Sequence, residues 1–126
     1  MKRPIIDFEV LRRVLPEVRA FKAGETIFEA GDTGTELYLI RDGEVSVRLG
    51  DRTVETLGPS EIFGEMALVD SKPRSATVIA ETDCNVVPIS EKYFLLMIRE
   101  APYFGLGVMR VLAHRLREAN LALQNR

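Results

Sequence analysis

Residues 62–78 read Ile62-Phe63-Gly64-Glu65-Met66-Ala67-Leu68-Val69-Asp70-Ser71-Lys72-Pro73-Arg74-Ser75-Ala76-Thr77-Val78. A Gly-Glu pair opens a short apolar turn, a polar loop follows, and an arginine stands before small residues that enter a strand. Gly64 lets the main chain approach a ligand closely. A helix starting there presents first-turn N–H groups without intrahelical partners, which suit an anion. Arg74 adds a planar, permanently charged fork for two phosphate oxygens. Ser75 and Ala76 are small enough to leave room for that phosphate against their own backbone. Glu65 accepts hydrogen bonds when ionised, so it suits a sugar hydroxyl rather than a phosphate that it would repel. A phosphate clamp beside a sugar acceptor describes a nucleotide site.

Around this stretch the chain has the texture of short strands broken by turns, from Val18 to Ile89. Val45, Val47 and Leu49 alternate with Glu44, Ser46 and Arg48, which predicts a strand over Glu44–Leu49. Asp42-Gly43 precedes it and predicts a two-residue hairpin joining it to Glu36–Arg41. Gly50-Asp51 turns the chain into a strand at Thr53–Leu57, and later strands are expected at Arg74–Ala80 and Cys84–Ile89. Many short strands with frequent turns point to a barrel or jelly roll. Helices flank them. Asp7–Leu15 places Phe8, Leu11 and Leu15 on one face, with Asp7 as N-cap and Pro16 as stop. Ser90 caps a helix carrying Tyr93, Phe94, Met97 and Ile98, and Pro102 ends that run. A longer helix is expected over Tyr103–Leu123, with Phe104, Val108 and Val111 facing the body. Met109, Leu112, Leu116, Ala119 and Leu123 are spaced as in a coiled-coil seam, which points to self-association; docking on the chain's own roll is the alternative.

Composition narrows the function classes. The chain has 126 residues, 46% hydrophobic and 29% charged, which suits one globular domain over 1–126. No apolar run nears the roughly 20 residues of a membrane span, and Met1-Lys2-Arg3-Pro4 does not start a secretory signal. The single cysteine, Cys84, fits a reducing compartment, so a cytoplasmic location is expected. Seventeen basic and nineteen acidic residues give a net charge of −2, without the basic excess of a nucleic-acid binder. His114 is the only histidine, and no Gly-x-Ser-x-Gly elbow accompanies it. One histidine and one cysteine do not make an ordinary zinc site. Arg110 stands where a dinucleotide fingerprint beginning at Gly105 needs its third glycine, and Glu65 stands where a P-loop needs lysine. No enzyme activity and no cofactor are expected.

Phe63-Gly64-Glu65-Met66-Ala67-Leu68 followed by Pro73-Arg74-Ser75-Ala76-Thr77-Val78 resembles the phosphate-binding cassette of the cyclic-nucleotide-binding domain family. That family includes the bacterial catabolite activator protein, protein kinase A regulatory subunits and cyclic-nucleotide-gated channels. Gly31-Asp32, Tyr38-Leu39-Ile40 and Gly43-Glu44-Val45 are similar to its β-roll pattern. The resemblance implies an α+β, mainly β fold: an eight-stranded jelly-roll β-barrel over about 18–89, flanked by an N-terminal helix and two C-terminal helices over about 90–124. It also implies that Phe63, Gly64, Glu65, Met66, Ala67, Arg74, Ser75, Ala76 and Arg115 contact a cyclic nucleotide. Glu65 would accept from the ribose 2′-OH and Arg74 would pair with the cyclic phosphate. Main-chain N–H groups near Gly64, Ala67 and Ala76 would complete the cradle. Arg115 would reach the purine from a lid helix. In the family a threonine at the position of Ser75 favours cGMP, while serine also occurs there in bacterial cAMP sensors. The expected ligand is cAMP, with cGMP the alternative. The expected partners are an effector protein or domain and a second copy of the chain through the last helix, with no nucleic acid and no membrane. Alternatives are the sensor half of a catabolite-activator-type transcription factor, a channel or enzyme fragment, and a scaffold that binds nothing.

Overall fold

Strand β3 (Leu37–Asp42) carries four consecutive apolar residues, Leu37 to Ile40, and all four are buried. A strand alternates its side chains between faces, so a continuous apolar run means that both faces are covered. Leu37 and Leu39 pack with Met97, Phe104, Val108 and Val111 of the C-terminal helices. Tyr38 and Ile40 turn the other way, into the interior of the roll beside Val45, Leu57 and Val78. In a computed structural model describing residues 17–124, this strand lies in the sheet that separates two hydrophobic cores. The helix expected at Asp7–Leu15 lies outside the described residues.

The remaining strands are β1 (Arg19–Phe21), β2 (Thr26–Phe28), β4 (Val45–Leu49), β5 (Arg52–Leu57), β6 (Ile62–Phe63), β7 (Thr77–Ala80) and β8 (Cys84–Ile89). They form two antiparallel four-stranded sheets, ordered β1-β8-β3-β6 and β2-β7-β4-β5, a jelly-roll arrangement. Helix α1 (Glu65–Asp70) follows β6. Helices α2 (Glu91–Glu100) and α3 (Pro102–Gln124) follow the last strand. The eight strands and the two C-terminal helices agree with the expected architecture.

Two local expectations are corrected. The Asp42-Gly43 turn makes no hairpin: β3 pairs with β6 and β8, while β4 pairs with β5 and β7. The turn chemistry was read correctly, since Gly43 has φ 84°, but the turn carries the chain from one sheet to the other. Glu81 and Thr82 donate main-chain N–H groups to the Glu44 carbonyl, so the β7–β8 connection fills this corner. The true hairpin is β4–β5, closed at Gly50-Asp51. The strand expected at Arg74–Ala80 starts only at Thr77. Arg74 instead exchanges main-chain hydrogen bonds with the loop at Gly31 and Asp32, 2.8 and 2.9 Å long.

At the C-terminal end Ser90 Oγ accepts from the Tyr93 N–H as the N-cap of α2. Pro102 stops α2 and opens α3 at a helix position that needs no N–H donor. Phe94 meets Phe104 edge-on at 5.4 Å, fixing the elbow between the two helices. Cys84 is buried in the roll core, where burial first and then Asp42 and Asp83 push its thiol pKa up. Among the described residues, no helix is long and apolar enough to cross a membrane.

The two positive-φ glycines of the corners separate backbone strain from crowding. A Cβ on Gly50 (φ 61°) meets nothing within 4 Å, whereas one on Gly43 meets the Asp83 carbonyl oxygen at 2.4 Å. Gly50→Ala should cost about 1 kcal/mol, the left-handed backbone term alone. Gly43→Ala should cost about 3 kcal/mol or more, because overpacking adds to it. Urea denaturation of the two variants checks this, and equal losses would refute the crowded corner.

Candidate functional site

The nine residues singled out in the sequence line one cleft between the roll, α1 and α3: Phe63, Gly64, Glu65, Met66, Ala67, Arg74, Ser75, Ala76 and Arg115. Adjacent residues of β6 reach opposite sides of the sheet. Ile62 joins the helical core, and Phe63 stacks on Tyr38 inside the roll at 5.1 Å. Gly64 then takes φ 76° and starts α1 without a side-chain cap. That kink sets Glu65 at the first position of the helix, where a carboxylate meets the positive end of the helix dipole.

Arg74 is 6% exposed. Its two terminal nitrogens donate to main-chain carbonyls, Nη1 to Gly64 at 2.9 Å and Nη2 to Glu36 at 2.8 Å. The guanidinium carbon lies 4.2 Å from the centre of the Phe28 ring and 5.7 Å from that of Tyr38. Glu36 would be the natural carboxylate partner, but its Oε1 accepts from Arg19 at 3.3 Å instead. Among the described residues no carboxylate pairs with Arg74. A buried cation held only by carbonyl dipoles and aromatic faces has most of its Coulombic stabilisation still to gain from an anion. Three of the five guanidinium N–H groups remain after the two carbonyl bonds.

Glu65 has a different environment. It is 5% exposed, and its Oε1 accepts from Nη1 of Arg115. Nη2 of the same arginine donates to the Ile62 carbonyl. Phe104, Val108, Val111 and Arg115 are spaced 4, 3 and 4 residues apart on α3. The stripe that docks the helix therefore ends in the side chain that clasps the cleft. The sequence placed Arg115 near the base; the structure places it on the carboxylate expected to hold the sugar.

Phe28, Val47, Glu55 and Leu57 also line the cleft without having been singled out, as do Pro73 and Val78, which were quoted within the cassette but given no contact role. Gly34 escaped the sequence reading too. A Cβ there would lie 2.4 Å from Arg74 Nε, so the bare backbone at this point makes room for the guanidinium. Among the described residues no cluster of three His, Cys, Asp or Glu side chains is placed to hold a metal ion.

Comparison with known proteins agrees with this geometry. The sequence model of the cyclic nucleotide-binding domain family matches residues 18–101. The chain is 40% identical over 110 residues to the Cyclic AMP receptor protein of Thermus thermophilus, covering 83% of this chain and 51% of that protein. It is 41% identical over 68 residues to the cAMP-dependent protein kinase regulatory subunit of Eremothecium gossypii, covering 54% of this chain and 15% of that protein. The crystal structure of the Thermus thermophilus Catabolite Activator Protein superposes with a TM-score of 0.81 at 37% identity, over 92% of this chain and 58% of that one. The chain thus spans about half the length of its bacterial relative. With its roll, its buried arginine and a family match across residues 18–101, this chain belongs to the cyclic nucleotide-binding domain family.

Proposed function

We propose that this chain is a cAMP-responsive regulatory module, with cGMP as the alternative ligand, and that it is a sensor rather than an enzyme. The observation that carries the reading is the buried guanidinium of Arg74, which bonds main-chain carbonyls and, among the described residues, pairs with no carboxylate. A cyclic phosphate supplies the missing anion, and Ser75 and Ala76 border the place where it sits. The Thermus relative is a Cyclic AMP receptor protein, which favours adenine over guanine here.

Coupling to the rest of the chain passes through Glu65. A carboxylate has two oxygens and about four lone-pair sites, so Arg115 on Oε1 leaves capacity for the ribose 2′-OH. Ligand, Glu65 and Arg115 then form a continuous chain of charge-assisted hydrogen bonds onto α3. A ligand that binds the clasped arrangement better than the released one shifts α3 toward the clasped state; equal affinity shifts nothing. The exposed stripe of α3 supplies the readout surface. Met109, Leu116 and Leu123 are 62%, 63% and 58% exposed, and only Leu112 of that stripe packs on the helical core. A second copy of the chain covers this stripe in our reading, and an effector reads the helix position. A second reading, the sensor part of a longer receptor, rests on the chain's 51% coverage of the Thermus protein.

Calorimetric titration with cAMP should give saturable binding, and Arg74→Ala should weaken it by about 2–5 kcal/mol, as when one member of a buried charge pair is removed. Arg74→Lys should fall between, keeping charge without the fork. Unaltered affinity in Arg74→Ala would exclude the phosphate role. Hydrogen exchange tests the clasp: cAMP should slow exchange in α3 of the unaltered chain. In Arg115→Ala the slowing should persist around Gly64 and vanish from α3. Slowing of α3 that survives in the variant would remove Arg115 from the coupling.

A further inference from the structure

A row of three residues runs across the sheet under the cleft. Val78 on β7 pairs with Val47 on β4, and Val47 pairs in turn with Glu55 on β5. All three line the cleft. Neighbouring strands lie about 4.8 Å apart, which sets Glu55 roughly 10 Å from β7. The Arg74-Ser75-Ala76 segment leads directly into β7, so the phosphate end of the cleft lies at that strand. Two strand spacings match the reach from a cyclic phosphate to the far edge of its base.

The pleat explains why a glutamate faces inward here. On β5, Val54 and Thr56 are exposed on the outer face, while Leu57 is buried in the roll core, on the side that Glu55 shares by alternation. Val47 and Val78 make an apolar floor on which a purine ring can lie flat, and Glu55 stands where that floor ends. Among the residues lining the cleft the acids are Glu65 and Glu55, and Glu55 is the one carried by the floor strand β5.

Building on the reading of this cleft as a cAMP site, we propose that Glu55 determines base specificity by accepting a hydrogen bond from the 6-amino group of adenine. An ionised carboxylate only accepts. Adenine offers it two N–H groups at the 6-position. Hypoxanthine and guanine offer a carbonyl oxygen at the same place, which sets acceptor against acceptor. A site built to accept from an amino group rejects the oxo analogue because both polar groups then lose their partners.

The test is calorimetric titration of the whole chain with cAMP and with 3′,5′-cyclic inosine monophosphate, using the unaltered protein, Glu55→Gln and Glu55→Ala. The two ligands share phosphate and ribose and differ in the 6-substituent. The unaltered chain should prefer cAMP by at least about tenfold, the scale of a hydrogen bond to a charged group. In Glu55→Gln the amide can donate to the oxo group, so the preference should shrink to within about threefold. Glu55→Ala should also lose the preference while still binding both ligands through Arg74. An unchanged preference in both variants overturns the assignment. So does an unaltered chain that binds the two ligands equally, or one that prefers cGMP and loses that preference in Glu55→Gln. Absence of binding by either nucleotide would instead remove the cyclic-nucleotide reading, and this inference with it.

Discussion

A positive charge inside a small β-roll has to be stabilised by something, and the arrangement around Arg74 determines much of the rest. The guanidinium bonds the carbonyl of Gly64 at the end of β6 and the carbonyl of Glu36 at the start of β3. These strands are neighbours in one sheet, and the arginine belongs to the loop that leads into the other. One side chain therefore ties the two sheets together at the mouth of the roll. The aromatic trio of Phe28, Tyr38 and Phe63 fills the space behind it, and two of these rings face the guanidinium. Carbonyl dipoles and ring faces suffice to hold the cation in place without neutralising it. The binding reading depends on that residual charge.

The second constraint is the sheet β1-β8-β3-β6, which serves two cores at once. Val86 and Val87, like Ile62 and Phe63, are adjacent residues committed to opposite faces. The helices thus pack on the back of the same strands whose front supports the cleft. Movement at β6 is felt on both sides because close-packed interiors transmit strain instead of absorbing it. The Ile62 carbonyl makes the connection literal, since it accepts from Arg115 of α3. Few residues separate the Glu65 carboxylate from the core that positions α3.

The residues of the cleft were legible in the sequence because most of those singled out lie close together along the chain. Gly64, Glu65, Arg74, Ser75 and Ala76 fall within thirteen positions, and their residue types speak for an anion and a sugar. Helix caps were legible for the same reason, as Ser90 and Pro102 show. Sheet partners were not. Asp42-Gly43 announces a turn with positive φ, but only tertiary pairing decides which strands the turn joins. Arg74 looked like the first residue of a strand until Gly31 and Asp32 claimed its main chain. Phe28 and Gly34 are distant in sequence from the cassette, and Glu55, though nearer, is as ordinary in type, so nothing local marked them as its neighbours. Arg115 was legible as a residue over the cleft, while its choice of Glu65 depends on the rotation of a 23-residue helix.

Gly34 carries a consequence for sorting related chains. Its bare Cα lies so close to the guanidinium that a single methyl would have to push the arginine head aside. The head is the end of a flexible side chain, so such a chain would still fold, keep every cassette residue and yet misaim its anion fork. Cassette letters alone are therefore an incomplete criterion for messenger responsiveness. A homologue retaining arginine and glutamate but bearing a larger residue at the equivalent of Gly34 has to seat its guanidinium differently from this one.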